Sequence, residues 1–541
     1  MKEGFRQSMS WLHTWCGLTC GWLLCAIFLT GTLSVFREPI TRWMEAKPVL
    51  AAPAQSTLGD APRSLARATA YLSEQAPNAR FWRIVMPLGP DDAMQLAWRA
   101  GATTEHRTVH PLTGVIQTEP WGRKTEGGRH FVLFHYMLHV PTIGYWIVGW
   151  ISMCMLVALI SGVVVHRRIF VDFFTFRPGK GQRSWMDAHN VSAVLPLPFL
   201  FMIVYTGLAI FYTGYMPWPL QTAYGTDPSA YRQFQTELTH DVDPARSRPP
   251  PATATRLQDV ASLQREAEAL TRQPTRMIVV EQPGQAGATV RVIGRIDPAT
   301  PSGGVLSPVA SVLFDGATGT VLKMQRPDVD APFAAEDIHA AMESLHFARF
   351  GGWGMRWLYF FCGLLGTLMI ATGAILFTSK RRKKSANEFG HATSVVYRTI
   401  ESLNIAAIAG IVVACIAYFY VNRLLSVTMI DRSAWEIRGS MLVWLATSLY
   451  ALWRKPQRAW VELLGLAALL CLALPLLNLI TTGQHLGQYI KMMDLQRAGV
   501  ELVSLGLGAA LAWAAWRIRS ASRNIPQVRR AAGRSGQGSM P

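Results

Sequence analysis

The chain has 541 residues, of which 50% are hydrophobic and 16% charged, and its 52 Lys and Arg outnumber 34 Asp and Glu to give a net charge of +18. Several apolar runs are long enough to cross the roughly 30 Å of bilayer hydrocarbon, which excludes a soluble globular protein. The cations gather beside alternate apolar runs, as membrane orientation requires, so the basic excess does not point to nucleic acid.

The first segment, 1–36, is a membrane helix built on Trp11–Phe36; it is longer than the apolar part of a signal peptide. Residues 37–130 form a small α+β module: helical spacing over Pro62–Gln75, then strands expected over Phe81–Met86, Gln95–Arg99 and Glu105–Glu119 between Gly, Pro and Asp breakers. The second membrane segment, 131–168, carries Ile143–Val165. A cytoplasmic loop, 169–185, follows, where Phe176–Asp187 is basic and aromatic and suits either docking of an electron donor or a plain solvated turn. The third segment, 186–213, is built on Val191–Tyr212.

Residues 214–345 repeat the external plan, with an amphipathic Leu257–Thr271 after a Pro/Ala/Thr-rich linker near 248–255. Strands are expected over Arg276–Glu281, Thr289–Ile296, Val309–Asp315 and Gly319–Lys323. Both modules contain a hairpin turn, His110–Ile116 and Asp315–Leu322. The fourth segment, 346–379, carries Trp357–Phe377, and a basic linker, 380–398, leads to four more crossings within 399–517. Their apolar runs are Ile400–Tyr420, Met441–Trp453, Trp460–Ile480 and Leu502–Trp516. Eight crossings put both termini on one side, and the cation clusters, including the tail 518–541, make that side cytoplasmic. All seven cysteines, Cys16, Cys20, Cys25, Cys154, Cys362, Cys415 and Cys471, lie in apolar runs, where thiols act as small apolar fillers and build no disulfide framework.

Matched histidines stand at the entrance of each of the first four membrane segments. His13 precedes Thr30-Gly31 and His189 precedes Thr206-Gly207, each by 17 residues to the hydroxyl residue. His135 precedes Ser161-Gly162 and His346 precedes Thr372-Gly373, each by 26. A duplicated unit with an imidazole in every membrane segment predicts two facing pairs, His13 with His189 on the internal side and His135 with His346 on the external side. Each pair can clamp one metal centre, which in a bilayer is expected to be haem. A histidine hydrogen-bonded between helices is the bland alternative for any one of them, but it gives no reason for shared spacing. The Ser/Thr-Gly pairs are expected to be packing marks that let helices approach closely. At about 1.5 Å per residue the longer interval would span roughly 39 Å, lifting the external centre toward the outer modules.

His139 and His166 are reserve ligands without counterparts, since Phe350 and Phe377 hold the equivalent positions; His139 is expected on the same helical face as His135. Arg349, Arg356, Arg167, Arg168, Arg177, Lys180 and Arg183 are candidate partners of haem propionates. The remaining histidines, His106, His110, His130, His240, His339, His391 and His485, read as solvated loop or terminal residues.

The stretch Leu12-His13-x3-Gly17-Leu18, the run Phe134-His135-Tyr136-Met137-Leu138-His139 leading to Gly144 and Gly149, and the hairpin turns resemble the PepSY-associated transmembrane family. The run from His166 to Asn190 is similar to one branch of it, containing PiuB-like iron-regulated inner-membrane proteins and FoxB-type ferric-siderophore reductases. The resemblance covers about residues 5–385 and departs at Pro198-Phe199-Leu200, where many relatives place a histidine. It implies an α-helical integral membrane protein with a duplicated haem-binding four-helix core, two α+β periplasmic PepSY-like domains, and about four additional C-terminal transmembrane helices. It further implies a bacterial inner-membrane oxidoreductase with two haem b groups, passing electrons to a ferric siderophore in the periplasm and releasing Fe(II). The chain has no Walker motif, H-E-x-x-H, or G-x-G-x-x-G after a strand, so electrons must come from a quinol or a cytoplasmic reductase. The competing readings are a membrane-anchored PepSY module that binds or inhibits a periplasmic partner without redox activity, and a permease, the latter weakened by an expected lack of charged residues in the last four helices.

Overall fold

Apolar length decides which helices can cross a bilayer, and in the computed structural model six helices among the described residues meet that requirement. They are Gly4–Ser34, Ile143–Val165, Gly352–Arg382, Ser394–Leu424, Pro456–Thr482 and Leu495–Ala521, and the broken pair Gln182–Val194 and Leu197–Ala209 makes a seventh if counted as one span. Helix Arg432–Trp453, which contains the expected crossing Met441–Trp453, falls outside this set, so the eight expected crossings are not all met by length and composition among the described residues. The structure describes residues 3–48, 61–87, 92–101, 103–111, 113–117, 119–166, 182–227, 229–239, 256–295, 309–325, 334–389 and 393–523. Most of the loop 169–185, the linker 248–255, His240, His391 and the tail beyond 523 lie outside the described residues.

The chain divides into two units, the first comprising Met1–Ala46, Lys124–Pro196 and Leu364–Pro541 and the second Lys47–Arg123 and Leu197–Gly363. In the first, Glu3–Ser34 packs along Ile143–Val165. The last helices share a core with these segments rather than forming a separate body: Ala26, Leu29, Phe131 and Phe134 are buried together with Ile411, Tyr418, Phe419 and Leu474. Asn404 fastens the same groups by hydrogen bonds, accepting from Trp22 Nε1 at 2.7 Å and donating to Thr378 Oγ1 at 2.8 Å. One π turn, Ala406–Gly410, interrupts the Ser394–Leu424 span, and the Ala406 carbonyl there accepts from Trp444 Nε1.

In the second unit the two expected α+β modules join into one antiparallel sheet. Its strands are β1 (Phe81–Val85), β2 (Met94–Ala100), β3 (Thr103–Val109), β4 (Thr275–Glu281), β5 (Thr289–Gly294), β6 (Ser311–Asp315) and β7 (Val321–Gln325), ordered β3-β2-β1-β4-β5-β6-β7. The join is β1 beside β4, with Arg83 opposite Val279. Alternation sends Trp82, Ile84, Leu96, Trp98, Ile278, Val280, Val290, Val292, Val312 and Phe314 to one face, where they are buried with Leu65 and Leu72 of helix Ala61–Gln75 and Leu263 of helix Val260–Thr271. Asp259 caps the second of these helices, its side chain accepting from the amides of Ala261 and Ser262. The stretch read as a strand to Glu119 ends at Val109 and turns back, with Val109 bridging Ile116 and Gly114 supplying a positive φ of 70°.

Candidate functional site

A Ser/Thr-Gly pair leaves a notch on a helix because glycine has no Cβ, and each of the four notches seats an imidazole from another helix. A Cβ added at Gly162 would lie 3.1 Å from His13, at Gly373 3.1 Å from His189, at Gly31 2.7 Å from His135 and at Gly207 2.8 Å from His346. The small pairs are thus more than marks of helix approach, because the room they make is taken by the matched histidines. The seats on the first pair of segments are reciprocal: His13 rests on Gly162 and His135 on Gly31.

The rings are also held in one tautomer. Nδ1 of His13, His189 and His135 lies 2.8 Å from the carbonyl oxygens of Ala158, Met369 and Ile27 respectively, and an Nδ1–H must donate to each. For His346 the acceptor is the Thr206 hydroxyl at 3.2 Å, whose own proton goes to the Met202 carbonyl at 2.7 Å. With the proton fixed on Nδ1, the basic lone pair lies on Nε2, the atom a metal would require. Ring centres of His13 and His189 are 6.4 Å apart and the planes are 69° from parallel. His13 and His189 would be the residues to hold a shared metal ion through Nε2.

The reciprocal seats correct the expected length of the second and fourth segments. The helix bearing His135 ends at Met137 and the next begins at Ile143; the helix bearing His346 ends at Phe347 and the next begins at Gly352. Both breaks contain left-handed residues, Leu138, His139 and Thr142 in one and Ala348 and Gly351 in the other. Gly144 permits the first fold-back, since a Cβ there would lie 1.9 Å from the Met137 carbonyl oxygen. The 26-residue interval is therefore no continuous 39 Å helix; its extra residues are spent in the break. In the first pair of segments both helices must cover the same distance between two shared contacts.

The break also removes His139 from the face of His135. Its Nε2 lies 2.8 Å from Nδ1 of His130, and His130 stacks on Tyr418 with ring centres 4.2 Å apart. His130, expected to be solvated, is 2% exposed, and burial together with neighbouring His139 pushes its pKa down to about 3. The other reserve, His166, follows the Ile143–Val165 helix, and its Nε2 accepts from Asn190 Nδ2 at 3.1 Å. Arg349 donates to Glu343 at 2.9 Å, and Arg356 lies over the Trp353 ring.

Sequence reasoning missed a buried polar network in the first unit, and the expected lack of charge in the last four helices is wrong. Arg423 donates to the Trp43 and Met44 carbonyls and to Asn478 Oδ1, while its guanidinium lies 3.8 Å from the Trp43 ring centre. It satisfies the carbonyl end of the amphipathic helix Arg37–Glu45. Trp43 Nε1 and Asn478 Nδ2 both donate to Glu501, and a buried Arg432–Glu436 pair lies beside Asn422. These charges flank the apolar runs rather than interrupting them; the rule that ionisable groups near membrane segments seek partners was the signal available.

A family model, the PepSY-associated TM region, matches residues 10–380, more than half of the chain, and the protein belongs to that family. A Pseudomonas aeruginosa protein described only as uncharacterized is 25% identical over 398 residues, covering 71% of this chain and 92% of that one.

Proposed function

For this multi-pass member of the PepSY-associated transmembrane family, we propose an inner-membrane di-haem b oxidoreductase that passes electrons across the bilayer to a ferric siderophore in the periplasm. Iron leaves as Fe(II), which hard oxygen donors hold less firmly than Fe(III). The observation that carries this reading is the 6.4 Å separation of the His13 and His189 rings, each with Nδ1 committed to a backbone carbonyl. Among the described residues no three His, Cys, Asp or Glu side chains converge on one point. His13 and His189, with no third donor converging among the described residues, would suit haem iron, which needs few protein ligands.

His13 and His189 would hold one haem; the second is assigned to His135 and His346 on their equal spacing in the sequence. Bound haem would supply one-electron transfer, and bis-imidazole ligation favours that role over oxygen binding. The seats lock each ring against rotation, so little reorganisation accompanies a change of charge at the iron. Electrons enter from a quinol or a cytoplasmic reductase. The alternative, a PepSY anchor that binds a partner without redox activity, gives no reason for four oriented imidazoles. Anaerobic stopped-flow mixing of dithionite-reduced protein with ferric siderophores tests the proposal: the haem bands should reoxidise as Fe(II) appears, and bands that stay reduced with every ferric chelate would refute it.

A further inference from the structure

One register of the seven-stranded sheet alternates cations with apolar residues on the face opposite the core. Read across neighbouring strands it runs His106, Ala97, Arg83, Val279, Arg291, Leu313, Lys323. Strands lie about 4.8 Å apart, so the basic positions recur about every 10 Å over a lower apolar floor. Ala97, Val279 and Leu313 are absent from the cluster buried beneath the two helices; Ala97 and Leu313 are nonetheless buried, and Val279, half-buried between Arg83 and Arg291, is the open part of the floor. Arg83 and His106 are exposed and Arg291 half-buried. Neither Arg83 nor Arg291 has a carboxylate partner among the described residues; Arg83 leans over the Phe81 ring, 5.4 Å from its centre.

The registers on either side differ. On one side lie Val85, Met277 and Ile293, apolar and half-buried; on the other lie Phe81, Glu281, Thr289 and Asp315. A ligand drawn to the guanidinium groups is thus offered apolar contact on one flank and met by carboxylates on the other. Resting on the reading of the protein as a ferric-chelate reductase, we propose that this face binds the substrate and selects iron(III) chelates of net negative charge with aromatic or aliphatic ligand frames. A compact hexadentate chelate about 10 Å across would reach Arg83 and Arg291 together, and the alternation lets its apolar parts settle on Val279 between them. The two arginines come from the two sequence modules, so the site exists because β1 and β4 pair.

Gallium(III) complexes test binding apart from electron transfer, because gallium(III) is not reduced under conditions that reduce iron. The full-length protein in nanodiscs is titrated by calorimetry with a gallium tris-catecholate of charge −3 and with an uncharged gallium trihydroxamate of similar size. The anionic chelate should bind at least tenfold more tightly, and the preference should shrink as salt is raised. Arg83→Gln with Arg291→Gln should weaken anionic binding at least tenfold, Arg83→Lys with Arg291→Lys should recover part of it, and Arg265→Gln on the opposite helix should change nothing. Equal binding of the two chelates, or full anionic binding by the double Gln variant with unchanged melting and haem content, would overturn the proposal. Charge-selective binding by a protein without haem would leave this site standing and remove the reductase reading; iron reduction without charge selection would do the reverse.

Discussion

At the residue scale the four glycines are the sharpest probes, because each must leave space for one imidazole. Gly31→Ala and Gly207→Ala place a Cβ within 2.8 Å of His135 and His346, whereas Gly162→Ala and Gly373→Ala leave 3.1 Å. The first two variants should lose or broaden one haem signal, and the second two should keep both haems with small spectral shifts; optical redox titration of the four proteins checks the order. His139→Ala should retain both haems, since its Nε2 is committed to His130, while His135→Ala should lose one. His130 itself is a pH liability. Its pKa is depressed to about 3 in the fold against about 6.5 when exposed, so the unfolded chain binds the extra proton first. Stability should fall as pH drops from about 6.5 toward 3, and His130→Gln should flatten that decline in thermal melts.

At the scale of elements, much of the seven-stranded sheet was legible: alternation located the strands near their observed positions because one face is buried on a common core. What sequence could not show is that β1 and β4 pair, for strand adjacency across more than a hundred residues leaves no local mark. The histidine spacing was visible, but its meaning was not. Equal 17- and 26-residue intervals identify a repeat; only folded helices show that the longer interval is broken and that each notch receives the neighbouring histidine. The Arg37–Glu45 helix depends on a residue far away in sequence. Arg423→Ala would leave the Trp43 and Met44 carbonyls buried without their donor and should cost about 3–5 kcal/mol, read as a lower melting temperature in detergent.

At the scale of the whole molecule, the repeated segments and the last helices have different relations to the proposed chemistry. The matched histidines all lie within the family region, 10–380, while the later helices supply Tyr418 against His130 and Arg423 against Trp43. The proposed orientation, with 37–130 and 214–345 outside and the Arg-rich tail inside, predicts that a phosphatase reporter fused after Pro541 is inactive and a cytoplasmic reporter there is active. The central claim, two bis-histidine haems in one chain, is tested most directly by pyridine haemochrome quantitation with EPR on the purified full-length protein. Two haem b per chain, both low-spin when oxidised, with one lost in His13→Ala, is the predicted result; a chain with no stoichiometric haem, a single haem, or high-spin iron throughout would contradict it.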